Sequence, residues 1–337
     1  MTVSQEICDR FGLGRIVCVR AAGGTRNANF IVETDRGRWV VRRRYEGYCD
    51  PERIEFDHSA AAFLREGGAA VIPPVTAGDG GSYWRGAEGV WEAYPFADGE
   101  HLREGARKDV LALADALARL HDAGKSFALR YDKLGPRGET DPDHLLESAA
   151  RIRGESPETG DGPGQVREAL GDALAPYEEA VRHAADRLPL SAWTLLPHTL
   201  VHGDVQPANV LVHEGSVSAF FDLDWLAWRP RIYDLCFAVL CCCASHEEPI
   251  GQGDVWSLTQ TPELDRDLVG EFLDAYGRAS TPLSEEERCA VRGQLMLTWC
   301  HIRIDNALKV PAEDRRRFLM RGGDSAFSQI GNMGGVM

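Results

Sequence analysis

The stretch "VHGDVQPANVLV", residues 201–212, places Asp204 and Asn209 five positions apart, and the run "SAFFDLDW" brings Asp222 thirteen positions further on. A carboxylate, an amide and a second carboxylate are the set that phosphoryl transfer uses. One carboxylate receives or orients the proton of an acceptor hydroxyl, while an amide oxygen and the other carboxylate hold Mg²⁺ against the phosphates of a nucleotide. Taken singly, each has an ordinary explanation, because Asp and Asn in turns hydrogen-bond their own backbone. Their joint spacing is what favours the chemistry. Asp224 is placed to approach a second metal or merely to turn the chain.

Such groups need a turn to hold them. "TLVHGD" and "NVLVHEG" bracket the loop, and "VLV" is expected to pair with "SAFF" in a short hairpin that carries Asn209 and Asp222 at its ends, on the same side. From Ile16 to about Pro95 the runs "GRIVCV", "NFIVET", "RWVVRR" and "GVWEAY" read as strands around "PERIEFDHSAAAFLREGG". In that segment Ile54, Phe56, Ala60, Phe63 and Leu64 recur near a helical period, with Pro51 suited to the start and Gly67 to the stop. Beyond "FADGE" the pattern turns helical. "ARKDVLALADALARLHDAG" is amphipathic, the tracts between about 124 and 164 read as mobile connections around "HLLESAARI", and "RDLVGEFLDAYGRA" and "EEERCAVRGQLMLTWCHIRIDNAL" continue the helical character. The expected fold class is therefore α+β in two lobes: residues 1–96 a small β-rich nucleotide-binding lobe with one main helix, and 97–337 a larger, mostly helical lobe with the catalytic loop.

The bulk composition narrows the function classes. With 337 residues, 44% hydrophobic and 26% charged, the chain has the make-up of an ordinary globular protein of about two lobes. Asp and Glu outnumber Lys and Arg by 52 to 37, a formal charge of −15, which argues against a general nucleic-acid binder. Nine cysteines without a CxxC pair argue against structural zinc, and the run Cys241 to Cys243 continues an apolar stretch, so a cytoplasmic setting is expected. The N-terminus lacks the pattern of a secretory signal, and the apolar run Leu235 to Ala244 is too short to span a bilayer, so no membrane role is expected.

"HGDVQPAN", "FFDLDW" and "RIYDLCFAVL" together resemble the aminoglycoside phosphotransferase and choline kinase superfamily, small-molecule kinases that share the protein-kinase fold. "GGTRNANFIVETDRGRWVVRR" resembles the family's nucleotide-loop hairpin and "LARLH" its first large-lobe helix, and "NANF" with the lobe layout looks most like type II homoserine kinases. The resemblance implies ATP, or GTP, with Mg²⁺ as cofactors. It makes Asp204 the catalytic base, Asn209 and Asp222 the metal ligands, His202 a brace for the loop, and Asp234 in "YDL" a support from a helix start.

In the small lobe, Gly24, Thr25 and Asn27 of "GGTRNANF" are candidates to approach the phosphates, glycine allowing close backbone contact. Where protein kinases carry a lysine, this chain reads "WVVRRR". Strand alternation lets only one of Arg42 and Arg43 face the cleft, and position selects Arg42. Asp57 is its expected acidic partner, with Glu55 the other candidate. Adenine is expected along "WEAYPFADGE", where Pro95 offers only a carbonyl and Ala97 an N–H. Asp224, Trp299, Arg303 and Asp305 are candidates for the acceptor pocket, and the acceptor itself is a small-molecule hydroxyl of an aminoglycoside, amino alcohol, homoserine-like compound or sugar. A catalytically silent nucleotide-binding scaffold is the alternative. A protein kinase proper is disfavoured, since "DLD" stands in place of DFG and no APE motif follows. The sequence does not specify an oligomeric state.

Overall fold

The computed structural model describes residues 2–23, 26–128, 130–155, 163–248, 250 and 255–333, so Gly24 and Thr25 of the glycine hairpin lie outside the described residues. A short helix α1 (Gln5–Arg10) precedes β1 (Ile16–Gly23), β2 (Ala28–Thr34) and β3 (Gly37–Arg43). After α2 (Pro51–Glu66) come β4 (Trp84–Gly86) and β5 (Gly89–Pro95), and the five strands form one antiparallel sheet ordered β1-β2-β3-β5-β4. Strand alternation divides the sheet's faces. Phe30, Val32, Val41, Trp91 and Ala93 pack with Ile7, Phe11 and Leu13 into a small core, whereas Arg42, paired in register with Glu92, lies on the other face.

Asp50 caps α2 by accepting from the N–H of Arg53, and Pro51 opens its first turn. Its apolar stripe does not join the sheet's core. Phe56, Ala60, Ala61 and Leu64 belong to the large helical core instead, with the Phe56 ring 5.9 Å from those of Phe127 and Tyr131. A helix that lies within the β-rich part of the sequence is thus anchored by its hydrophobic face to the helical part.

That part begins after β6 (Glu100–His101) with α3 (Arg107–Gly124), α4 (Pro142–Gly154), α5 (Pro163–Arg187) and α6 (Leu190–Trp193). Two small ribbons then hold the loops of interest. β7 (His198–Val201) pairs antiparallel with β10 (Ala227–Pro230), and between them β8 (Val210–His213) and β9 (Ser216–Phe220) form the expected hairpin, Val210 opposite Phe220. Residues 202–209 and 221–226 are therefore fixed at both ends, and the Phe221 N–H donates to Asn209 O at 3.1 Å. α7 (Ile232–Ala238) runs into a π-helical turn, Val239–Cys243, whose three cysteines are buried. All nine cysteines are free thiols. α8 (Arg266–Ala279) packs on α3, and the long α9 (Glu285–Ala307), opened by a capping box of Ser284 and Glu287, carries buried Leu295, Leu297, Ile302 and Ile304. The short helices α10 (Arg315–Met320) and α11 (Gly323–Asn332) close the chain. No helix among the described residues is long and apolar enough to cross a membrane.

One glycine in the loop is obligatory. Gly203 has φ +86°, and a Cβ there would stand 2.3 Å from the carbonyl oxygen of Trp225. Gly203→Ala is expected to cost about 2 kcal/mol or more through strain and backbone displacement, seen as a lowered urea midpoint with an unchanged m-value.

Candidate active site

The backbone of the loop after β7 is held by one buried carboxylate. Asp234, in the first turn of α7, accepts from the N–H of His202 at 2.6 Å, the N–H of Gly203 at 2.8 Å and His121 Nε2 at 3.0 Å. Burial pushes the Asp234 pKa up, but the His121 hydrogen bond and the charges beside it outweigh burial and hold it below the usual value. His121 comes from α3, its Nδ1 accepting from the Tyr276 hydroxyl of α8 at 2.8 Å. His202 carries the link onward: its Nδ1 accepts from the Asp204 N–H at 3.2 Å and its Nε2 donates to Phe221 O at 3.1 Å. His121 and Gly203 were not singled out by spacing. The signal for His121 was its place at the end of "LARLH".

Asp204 projects from this braced loop. Its Oδ2 accepts from Gln206 Nε2 at 2.8 Å and Asn209 Nδ2 at 2.9 Å, and Asn209 Nδ2 also reaches Asp204 O at 3.0 Å. Those acceptors fix the amide orientation and leave Asn209 Oδ1 as the atom for a cation. Across from it, Asp222 takes φ 58° and ψ 56°, a left-handed conformation unusual for a non-glycine residue and typical of functional turns. Its side chain is 40% exposed, with Oδ1 3.5 Å from Arg42 Nη1. Desolvation and the adjacent Asp224 charge push the Asp222 pKa up to about 7 against the pull of Arg42, and Asp204 adds to the rise. An amide oxygen beside a partly exposed carboxylate fits Mg²⁺, which prefers hard oxygen donors and takes few of them from protein. Among the described residues no cluster of three or more His, Cys, Asp or Glu is arranged as a metal site of its own.

Of the two arginines weighed for the phosphate position, Arg42 lies in the cleft and Arg43 is half-buried on the other side, donating to Glu88 O at 3.3 Å. Arg42 Nη2 lies 2.6 Å from Glu92 Oε2, 3.0 Å from Asp224 Oδ1 and 3.0 Å from the Tyr94 hydroxyl. Burial draws its pKa down, yet Asp224 and Glu92 more than offset this and hold it above its ordinary value. The acid facing Arg42 is thus Glu92 of β5 and not Asp57. Asp57 pairs instead with Arg44 and with Lys133 Nζ at 2.5 Å, while Glu55 is exposed. Arg44 is fully buried, with Nη1 2.7 Å from Glu92 Oε1 and Nη2 3.2 Å from Asp224 Oδ1. It follows Arg42 at a spacing of two, so strand alternation puts it on the same face as Arg42.

Three other expectations need correction. Asn27 uses both ends of its amide within the protein: Nδ2 donates to Asp224 Oδ2 at 2.6 Å and Oδ1 accepts from the Tyr45 N–H at 2.9 Å. It ties the hairpin to the acidic turn. Asp224, buried among Asn27, Arg42 and Arg44, is held below the usual carboxylate range because the two arginines outweigh the desolvation. It is engaged on both oxygens and does not stand free for a second metal. Trp299 and Arg303 are buried core: the Arg303 guanidinium donates to Leu258 O at 3.1 Å, Arg321 O at 2.8 Å and Phe318 O, and lies over the Trp299 ring. Asp305 remains partly exposed, its Oδ2 shared by His144 at 3.0 Å and His301 at 2.8 Å. At the lobe linker the Phe96 N–H is engaged by Arg38 O, and no hydrogen bond among the described residues uses the Ala97 N–H; Pro95 is exposed at the end of β5.

Residues 17–290 match the model of a family described as the phosphotransferase enzyme family. The chain belongs to that family. Among curated relatives, a homoserine kinase of Phenylobacterium zucineum is 28% identical over 273 residues, 80% of this chain and 73% of that one. Among solved structures, an aminoglycoside phosphotransferase from Alicyclobacillus acidocaldarius superposes with a TM-score of 0.67 at 16% identity, covering 98% of this chain and 95% of the other. An amicoumacin kinase solved in complex with AMP-PNP, Ca²⁺ and Ami superposes at 0.64 and 16%, covering 97% and 93%. The fold of this phosphotransferase is accordingly the bilobal, protein-kinase-like α+β fold.

The Asp234 brace gives a measurable sign. A depressed carboxylate pKa means stabilisation that is full above the ordinary value of about 4 and lost as pH falls through the lower folded value. Asp234→Ala is expected to cost about 3–5 kcal/mol at pH 7, by leaving buried donors unpaired. The loss should shrink below pH 4 in urea melts of both proteins.

Proposed function

We propose that this phosphotransferase is an ATP-dependent kinase that moves the γ-phosphoryl group to a hydroxyl of a small molecule. The observation that carries the reading is the joint geometry of Asp204, Asn209 and Asp222: a carboxylate held by Gln206 and Asn209, an amide oxygen left for a cation, and a second, partly exposed carboxylate whose Oδ1 lies 3.5 Å from Arg42 Nη1. Mg²⁺, when bound, neutralises charge on the phosphates. The chain's own residues do the rest. Asp204 aligns the acceptor hydroxyl and receives its proton, Asn209 and Asp222 offer the oxygens that hold the metal, and Arg42 presents a guanidinium Nη1 toward the same space. Adenine is placed along the linker, with the Ala97 N–H as donor.

Homoserine kinases among the relatives, and an aminoglycoside phosphotransferase among structures of the same fold, favour an acceptor that is an alcohol also bearing an amine. Nine free thiols, several deeply buried, suit a reducing cytoplasmic setting. A silent scaffold would have no use for a braced Asp204, and the completeness of that loop argues for turnover.

Asp204→Asn is expected to lower kcat by about three orders of magnitude or more while nucleotide affinity changes by less than about threefold. A coupled ADP-release assay over amino alcohols, aminoglycosides and sugars, run beside nucleotide titration, measures both. Turnover of the variant at the wild-type rate would overturn the assignment.

A further inference from the structure

Lys133 lies in the connection between α3 and α4, in the stretch "YDKLG" that no motif singles out, yet its side chain is 1% exposed. Its Nζ lies 2.5 Å from Asp57 Oδ1 and 2.8 Å from Asp224 O, and 5.2 Å from the centre of the Phe56 ring. Asp57 Oδ2 is paired with Arg44, and Arg44 Nη2 is 3.2 Å from Asp224 Oδ1. The four groups close a ring: Lys133 to Asp57, Asp57 to Arg44, Arg44 to Asp224, and Asp224 back to Lys133. It joins four separate parts of the chain, namely the helical lobe's connection, α2, the end of β3 and the turn that presents Asp222. Arg53 of α2 adds a second donor to Asp224 O at 3.0 Å.

A ring of ions in a dry interior is a weak source of stability, because desolvation offsets most of the attraction. What it fixes is position. α2 already packs its apolar face on the large core, so Lys133 and Asp57 bring no new pair of layers together. Their effect falls on Asp224, whose carbonyl takes Lys133 and Arg53 while its carboxylate takes Arg42, Arg44 and Asn27. With Asp224 held from both ends, the backbone two residues earlier is constrained in the left-handed conformation that presents Asp222.

We propose that Lys133 is a positioning residue, reaching from the helical lobe to set the acidic turn in the arrangement that binds the magnesium nucleotide. The inference rests on the kinase reading above. Lys133 touches neither nucleotide nor acceptor in this account and acts through Asp57 and Asp224.

The test uses full-length wild-type protein and the variants K133M, K133R and K133M/D57N, titrated calorimetrically with AMP-PNP in the presence of Mg²⁺, beside thermal melts and steady-state kinetics. K133M is expected to lose about tenfold in affinity for the magnesium nucleotide, with the KM for the acceptor unchanged. K133R should return to within about threefold of wild type, because a guanidinium can reach the same two oxygens. Adding D57N to K133M should cost no further affinity, as expected of residues that act together. Nucleotide affinity unchanged in K133M, with only the melting temperature lowered, would overturn the proposal, as would a failure of K133R to restore binding. Wild-type protein that binds no magnesium nucleotide would remove the kinase reading itself and this inference with it.

Discussion

Asp222 and Asp224 stand two residues apart on one turn, with Asp204 close enough to raise the pKa of the first. Carboxylates brought together in a poorly solvated cleft repel, and the fold must either neutralise them or leave one ready to take a proton or a cation. Here the two are given different surroundings. Asp224 is buried and held by Asn27, Arg42 and Arg44, so it stays ionised. Asp222 opens to the cleft with Arg42 Nη1 3.5 Å away and is pushed up to about 7 by desolvation and the Asp224 charge. One acid organises the turn and the other is left with charge that a divalent ion would relieve.

The surroundings of Arg42 suit an arginine better than a lysine. The cleft wall behind Arg42 is acidic and crowded: Glu92 is fully buried and shared by Arg42, Arg44 and His58, whose Nε2 is 3.0 Å from Glu92 Oε1. Burial pushes the Glu92 pKa up, but Arg42, the His58 hydrogen bond and Arg44 together bring it well below the usual value. A guanidinium with five donors in one plane meets Glu92, Asp224 and Tyr94 at once, which an ammonium with three rotating donors on a flexible stem does less well. Arg44 and Lys133 then supply further positive charge, so the cation–acid pairing behind the sheet is distributed over several residues.

Much of this was legible in the sequence, and the reasons differ by element. Strands β1, β2, β3 and β5 and helices α2, α3, α8 and α9 follow from period and end signals. The hairpin of β8 and β9 was readable because apolar runs flank a short turn. Arg42 came from its position after two valines, strand alternation having left only Arg42 or Arg43. What was not legible is long-range. Lys133 meets Asp57 across 76 positions and Asn27 meets Asp224 across 197, and no local pattern encodes either. Arg303 and Trp299 misled for the opposite reason: polar and aromatic residues at helical spacing look like a pocket lining, yet Arg303 satisfies the carbonyls around Phe318 and Arg321 deep in the core.

Two positioning systems therefore meet at the acidic turn, and they draw on different parts of the fold. From the helical side, a chain of hydrogen bonds runs from Tyr276 on α8 through His121 on α3 to Asp234, then to the backbone of His202 and Gly203, and by the His202 ring to Phe221 O. That chain places the residue immediately before Asp222. From the sheet side, Arg42, Arg44 and Asn27 grip Asp224, two residues after it. Asp222 is thus suspended between a point fixed by the large core and a point where the sheet's side chains on the Asp224 carboxylate meet Lys133 and Arg53 on its carbonyl. Its left-handed backbone, costly for a residue with a Cβ, persists because the surrounding contacts over-determine it. A change in the angle between sheet and helices would move those two points relative to each other and act first on this carboxylate, before it disturbed Asp204, whose partners Gln206, Asn209 and His202 all belong to the same loop.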